Sequence, residues 1–121
     1  DSGRIVTDIG RSPSDRLKMA VLPDGRGKTA ITDYEVTARY GSDYTLCRFT
    51  LQTGRTHQIR VQLSERGFPL VGDVKYGGPR CEGGLKLHAV RLRVGEETYT
   101  ALPPWAGPWR VAHLPPEWED V

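Results

Sequence analysis

The sequence predicts an α+β fold in which an antiparallel or mixed β-sheet is built from hairpins and carries one short amphipathic helix. Three observations predict it. Thr29 to Tyr40 and Tyr44 to Leu51 alternate in character around the turn residues Gly41-Ser42-Asp43, the pattern of half-buried paired strands. Val90 to Val94 and Glu97 to Leu102 repeat that pattern around Gly95-Glu96. Between the hairpins, His57 to Arg66 has helical spacing and is closed by Gly67, a residue suited to the left-handed position after a helix.

Residues 1 to 28 read as irregular, with Ile5-Val6 and Met19-Ala20-Val21 as short apolar pieces between Gly, Pro and Ser turns. Arg11, Arg16 and Lys18 cluster around Ser12-Pro13-Ser14; this is either a solvated loop or one that contacts phosphates. In the first hairpin, Ile31, Asp33, Glu35 and Thr37 mark one face, and Ala30, Thr32, Tyr34, Val36 and Ala38 the other. Its Tyr, Val, Thr and Phe content suits strands. Tyr34 is expected to pack its ring on the sheet.

The second strand of that hairpin runs straight into Thr53-Gly54-Arg55-Thr56, so the hairpin aims Arg55 and Arg60. Gly54 is expected to hold a backbone shape closed to other residues, and Thr56 to cap the helix. Ile59 and Leu63, four apart, define the face expected to bury, with Arg60 beside it on a cleft wall. His57 stands at the helix start, where amides and dipole favour an anion. Asp73, in a Gly-Asp turn, is expected to bond nearby backbone amides. Tyr76-Gly77-Gly78-Pro79 continues a turn-rich loop, and Leu87-His88-Ala89 leads into the second hairpin, His88 reading as a hydrogen-bonding structural residue. The tail from Pro103 to Val121 carries Trp105, Trp109 and Trp118 among prolines. It is expected to lie across the domain with its indoles buried, base stacking being the alternative.

Composition narrows the function. At 121 residues, 37% apolar and 26% charged, the chain reads as one soluble domain, or a large part of one. No apolar run approaches the roughly 18 residues that span a bilayer, so no membrane role is expected. Net charge is only +2, but the 17 basic residues are mostly arginine, whose planar fork suits phosphates. The acidic Glu117 to Asp120 makes the mean charge a poor guide to any local patch. Cys47 and Cys81 stand alone without CxxC spacing; Cys47 is expected to be a small buried hydrophobe, and two free thiols fit a reducing cytoplasm. His57, His88 and His113 have no carboxylate at ligand spacing, which disfavours a metal-dependent nuclease. The chain starts at Asp1, with Met19 as its one methionine, and is expected to be a piece of a longer polypeptide.

TGRTHQIRVQLSERGFPLVGDVKYGG, from Thr53 to Gly78, resembles the third signature segment of the RluA-type pseudouridine synthases, which isomerise uridine in ribosomal or transfer RNA. The resemblance extends through IGRSPSDRLKMAV, GKTAITDYEV and LKLHAVRL to most of the chain; one departure is Gln62, where the family often has His. It implies that residues 1–121 are the C-terminal part of the pseudouridine synthase catalytic fold. It also implies chemistry by an aspartate, with neither metal nor organic cofactor. The family's Arg-Leu-Asp segment, which carries that aspartate, and the tyrosine after it do not occur in these residues. Arg60 matches the arginine that pairs with the aspartate. Lacking it, Arg60 is expected to be solvated, re-paired with Asp73 or a neighbouring copy, or disordered. Arg55, His57, Asp73, Tyr76, Leu87, His88, Arg11, Arg16 and Lys18 are implied to bind RNA or shape the cleft. The expected partners are RNA and the upstream half of the same domain, and the isolated chain is expected to be inactive. The alternative is a stand-alone, non-catalytic RNA-binding module.

Overall fold

The structure, a computed structural model, describes residues 2–40, 44–87, 91–94 and 97–100. Its elements are β1 (Ser2–Arg11), β2 (Met19–Leu22), β3 (Lys28–Tyr40), β4 (Tyr44–Leu51), α1 (Gln58–Glu65), a 3-10 turn (Val74–Tyr76), β5 (Arg91–Val94) and β6 (Glu97–Thr100). The first four strands form an antiparallel sheet in the order β2-β1-β3-β4, and β5 pairs with β6 separately. The α+β arrangement expected from the hairpins and the single helix is therefore present. The turns at 41–43 and 95–96, His88, Ala89, Val90 and the tryptophan-bearing tail lie outside the described residues.

The N-terminal region departs from expectation. It is not irregular, because β1 is an inner strand hydrogen-bonded to both β2 and β3. Its alternation is hard to read because the inward row is Ile5, Thr7 and Ile9, with a hydroxyl between two isoleucines, while the outward row mixes Arg4, Val6 and Asp8. Asp8, which looks like a turn residue beside Gly10, accepts hydrogen bonds from the Gly25 N–H at 2.7 Å and the Gly27 N–H at 3.4 Å. It ties down the β2–β3 connection instead of making a turn of its own.

One sheet face carries α1, which packs on β1 and β2. The core between them consists of Ile9, Ala30, Val61 and Tyr76, with Met19 and Val21 packed against it. In β3 the parity Ala30, Thr32, Tyr34, Val36, Ala38 is the inward one: Ala30 and Thr32 are fully buried. A bulge between Val36 and Ala38 shifts the register toward the far end of the hairpin. The Tyr34 ring lies against Gly3 on the neighbouring strand, where an added Cβ would fall 2.8 Å from the Tyr34 hydroxyl. The opposite face carries cross-strand ion pairs, Arg4 with Asp33 and Arg48 with Glu35. Cys47 and Cys81 are free and half-buried, and burial pushes the Cys47 thiol up, with Arg39 opposing, so it stays protonated.

The helix ends as expected, with Gly67 at φ +86° following the cap residue Arg66. Its start and its buried face are different. The N-cap is His57, in the left-handed region at φ 54°, and no side chain caps the helix, so Thr56 does not serve. The buried residues are Gln58, Val61 and Gln62, whereas Ile59 and Leu63 are only half-buried. The cause is the surface they meet. The sheet offers the hydroxyls of Thr7 and Thr32 and the carbonyls of Ala30 and Ile31, and amide side chains satisfy these where aliphatic ones would strand them. Gln62 donates to Thr7 Oγ1 at 2.9 Å and Ala30 O at 3.1 Å, and accepts from Thr32 Oγ1 at 2.5 Å. Gln58 donates to Ile31 O and Thr32 Oγ1 and accepts from Thr53 Oγ1 and the Arg55 N–H. Among the described residues no buried side-chain nitrogen or oxygen lacks a partner.

Candidate functional site

The site is assembled where the turn from β4 into α1 meets β2 and the 3-10 turn. Thr53 accepts the Ile31 N–H at 2.8 Å, and its hydroxyl donates to Gln58 at 2.8 Å, so the turn is pinned to β3 from both ends. Arg55 is braced by its Nε, which donates to the Thr29 carbonyl at 2.8 Å. Gly54 does not take the left-handed conformation expected of it: its φ is not positive. The strained residue of this turn is His57.

His57 Nδ1 lies 2.7 Å from the Tyr76 hydroxyl, with the two rings edge-to-face at 5.5 Å. Tyr76 is 8% exposed and its oxygen also accepts the Met19 N–H at 3.1 Å. The assignment that uses every proton has Tyr76 donating to Nδ1, leaving the proton of neutral His57 on Nε2. Burial lowers the His57 pKa first, the charges of Arg60, Lys75 and Arg11 lower it further, and Asp73 opposes them. His57 is therefore a neutral imidazole at pH 7, surrounded by cations.

Arg60 lies over the Tyr76 ring, 5.0 Å from its centroid, a cation–π contact. Its Nε and Nη2 bond the two carboxylate oxygens of Asp73 at 3.1 and 2.8 Å. Of the three fates expected for Arg60, the structure has the pairing with Asp73. The expectation that Asp73 bonds turn amides fails, because both oxygens go to the guanidinium. The turn is instead held through backbone, the Asp73 carbonyl accepting from the Tyr76 and Gly78 N–H groups. The Asp73 side chain is fully buried and that of Arg60 is 19% exposed. Hydrogen bonding to Asp73 raises the Arg60 pKa against the opposing effect of burial, so the guanidinium stays charged. Asp73 is committed to Arg60 and is poorly placed to act as a nucleophile.

Arg11 ends β1 on the helix-bearing face, near enough to His57 to act on its charge. Its Nη1 donates to the Arg16 carbonyl at 3.3 Å. The loop carrying Arg16 and Lys18 is closed by Ser12, whose N–H bonds Lys18 O and whose hydroxyl accepts the Asp15 N–H. Arg16 is exposed and Lys18 half-buried. Leu87 is half-buried beyond the Lys86 N–H to Val71 O bond, and His88 lies outside the described residues. The structure thus gathers Arg11, His57, Arg60, Asp73 and Tyr76, with Arg55 one turn away. Sequence reasoning missed Thr53, Gln58, Gln62 and Thr32 as the residues that fix the 53–55 turn and the helix carrying Arg60 on the sheet. The available signal was Gln58 and Gln62 flanking Val61 at one-turn spacing.

A groove of about 330 Å³ opens beside this cluster, between β1 and the 54–56 turn, with Ile9 and Met19 in its wall and Lys28 and Arg55 as its charged residues. Among the described residues no helix is long and apolar enough to cross a membrane, and no group of three His, Cys, Asp or Glu could hold a metal ion.

Comparison with known proteins places this geometry in context. Residues 1–65 match the family described as RNA pseudouridylate synthase. An uncharacterized RNA pseudouridine synthase of Chloroflexus aurantiacus is 42% identical over 100% of this chain and 37% of its own length. Ribosomal large subunit pseudouridine synthase D of Neisseria meningitidis is 53% identical over 74% of this chain and 27% of its own length. The uncharacterized RNA pseudouridine synthase YlyB of Bacillus subtilis is 49% identical over 74% and 29% respectively. The chain therefore spans little more than a third of the relatives it matches, or less. The family match over more than half of the chain establishes that the chain belongs to the RNA pseudouridylate synthase family.

Proposed function

We propose that this chain is the C-terminal part of a catalytic domain that isomerises uridine to pseudouridine in ribosomal or transfer RNA in the cytoplasm, and that it is inactive alone. The observation that carries the reading is the geometry of Arg60. Asp73 and the Tyr76 ring hold its guanidinium by Nε and Nη2, while no described residue takes Nη1. A second carboxylate at Nη1 would be kept ionised and oriented. In this reading that carboxylate is the nucleophilic aspartate of the upstream half. Asp73 then acts as the brace behind Arg60, and Arg60 as the residue that touches the reacting group.

His57, Tyr76 and Arg11 line the same corner, where a uridine extruded from its stack would sit, and Arg55, Arg16 and Lys18 meet flanking phosphates. Val6 on the open sheet face and Leu51 on edge strand β4, 58% and 49% exposed, offer apolar surface to the upstream half. The test uses RNA tritiated at uridine C5, which loses tritium to water on isomerisation. The chain alone should release none, and the chain joined to an upstream segment carrying the aspartate should release it. Release by the chain alone, or none from the joined protein, would overturn the reading.

A further inference from the structure

Gly54 borders the groove beside the Arg60 site, and no described residue accounts for its being glycine. Its φ lies outside the left-handed region, so another residue could adopt its backbone. A Cβ built on it would meet no atom of the described residues within 4 Å. The other two glycines of the groove differ. A Cβ on Gly10 would fall 2.7 Å from Leu22 Cδ1, and one on Gly27 would fall 2.7 Å from the Ile9 carbonyl oxygen. The Ile9 backbone accounts for Gly27, and at Gly10 only the flexible end of Leu22 stands in the way, whereas at Gly54 the space is open.

The surroundings describe what fills that space. Lys28 and Arg55 are the charged residues of the groove, both positive, with no carboxylate among its lining. Arg55 is held in place by Nε on Thr29 O and by its N–H on Gln58 Oε1, and its Nη groups have no partner among the described residues. The Gly54 N–H is likewise without a partner among them. A bare backbone amide between a lysine and a pre-positioned guanidinium forms a cradle for a phosphate, and half-buried Met19 gives an apolar surface for the attached nucleoside.

We infer that a phosphodiester of single-stranded RNA is laid across the bare backbone at Gly54, between Lys28 and Arg55. This rests on the proposed RNA-modifying function and extends it to a contact that no side chain makes. The experiment measures binding of the 121-residue chain to a fluorescent, uridine-containing single-stranded RNA, alongside its melting temperature. Gly54→Val should weaken binding about tenfold or more and Gly54→Ala less, both with unchanged melting temperature. Gly27→Ala, whose Cβ would meet the Ile9 backbone, should lower the melting temperature. Lys28→Gln and Arg55→Gln should each reduce the slope of log K against log salt by about 0.7.

Wild-type affinity in Gly54→Val, no RNA binding by the parent chain, or loss of docking to the upstream half in place of RNA would each overturn the inference. Tritium release separates the two proposals. A joined protein that binds RNA through Gly54 yet never isomerises uridine sinks the function and keeps this site. One that isomerises normally as Gly54→Val does the reverse.

Discussion

Replacing Gln62 with leucine tests whether polar docking of α1, and not apolar burial, sets the position of the site. Gln62 is 0% exposed and makes three hydrogen bonds, to Thr32, Thr7 and Ala30 O. Leucine keeps most of the volume and adds apolar burial, but takes one partner from each of three groups. Thr7 is half-buried and can turn to water, so its loss is small. The Ala30 carbonyl and the Thr32 hydroxyl are enclosed; Thr32 keeps the bond it accepts from Gln58 but loses the acceptor for its proton, and each lost partner costs about 1–3 kcal/mol. The net loss should be roughly 2–4 kcal/mol, or about 10 °C in Tm for a domain of this size. Urea denaturation followed by tryptophan fluorescence and circular dichroism measures it. The companion is Gln62→Leu with Thr32→Val, which removes both partners of the Gln62–Thr32 bond and so is less harmful than the sum of the two, although Thr32→Val also takes the acceptor from one Gln58 Nε2–H. The double variant should recover about 1 kcal/mol relative to additivity. If Gln62→Leu loses less than about 0.5 kcal/mol, or the double-mutant cycle shows no coupling, the amides do not position the helix as argued.

Three further outcomes follow from the same geometry. Asp73→Ala leaves the Arg60 guanidinium without its carboxylate. The cost should be about 2–3 kcal/mol in denaturation, below the 3–5 of a fully buried pair because water reaches part of the arginine, and Arg60→Met in the same chain should restore part of it. His57 has a pKa below its ordinary value, so it stays neutral at pH 7 and takes up its proton only as the pH falls. Against Arg60, Lys75 and Arg11, with Asp73 and Tyr76 as the other titratable neighbours, protonation favours the unfolded chain. Stability should therefore decline below about pH 6.5, while RNA affinity and its salt slope rise. His57→Asn, which tolerates the left-handed backbone, should flatten both trends, as urea titration and fluorescence anisotropy across that range would reveal. Gly72, at φ +82° with its missing Cβ directed at the Gly84 carbonyl, should not accept alanine. A loss of at least about 2 kcal/mol is expected from backbone strain and overpacking, and an unchanged Tm would contradict the close approach of these two turns.

The hairpin of β3 and β4, the single helix and its stop at Gly67 were legible because each rests on local pattern: alternation, helical spacing, a residue tolerant of positive φ. β1 was not, because Thr7 interrupts its apolar row and Asp8 resembles a turn residue until its partners, the Gly25 and Gly27 amides, are known. Arg60 was expected on the wall of a cleft with Asp73 among three possible fates, and the structure has it half-buried and paired with Asp73. The rest of the site was a matter of contact between distant segments. The buried face of α1 could not be read from hydropathy, since glutamine is polar in isolation and becomes an interior residue only against the hydroxyls and carbonyls of this particular sheet. His57 and Tyr76 are 19 residues apart, and nothing in either neighbourhood announces their bond.

By itself, then, the sequence determined the β3–β4 hairpin, the helix and the family, because short-range periodicity and a dense run of motif residues survive without a third dimension. That residues 2–11 form an inner strand, which polar groups are buried, and which carboxylate holds Arg60 were decided only by the tertiary structure. Hydrogen-bond satisfaction and open space are properties of neighbours, and the neighbours here come from β1, β3 and the 3-10 turn at once.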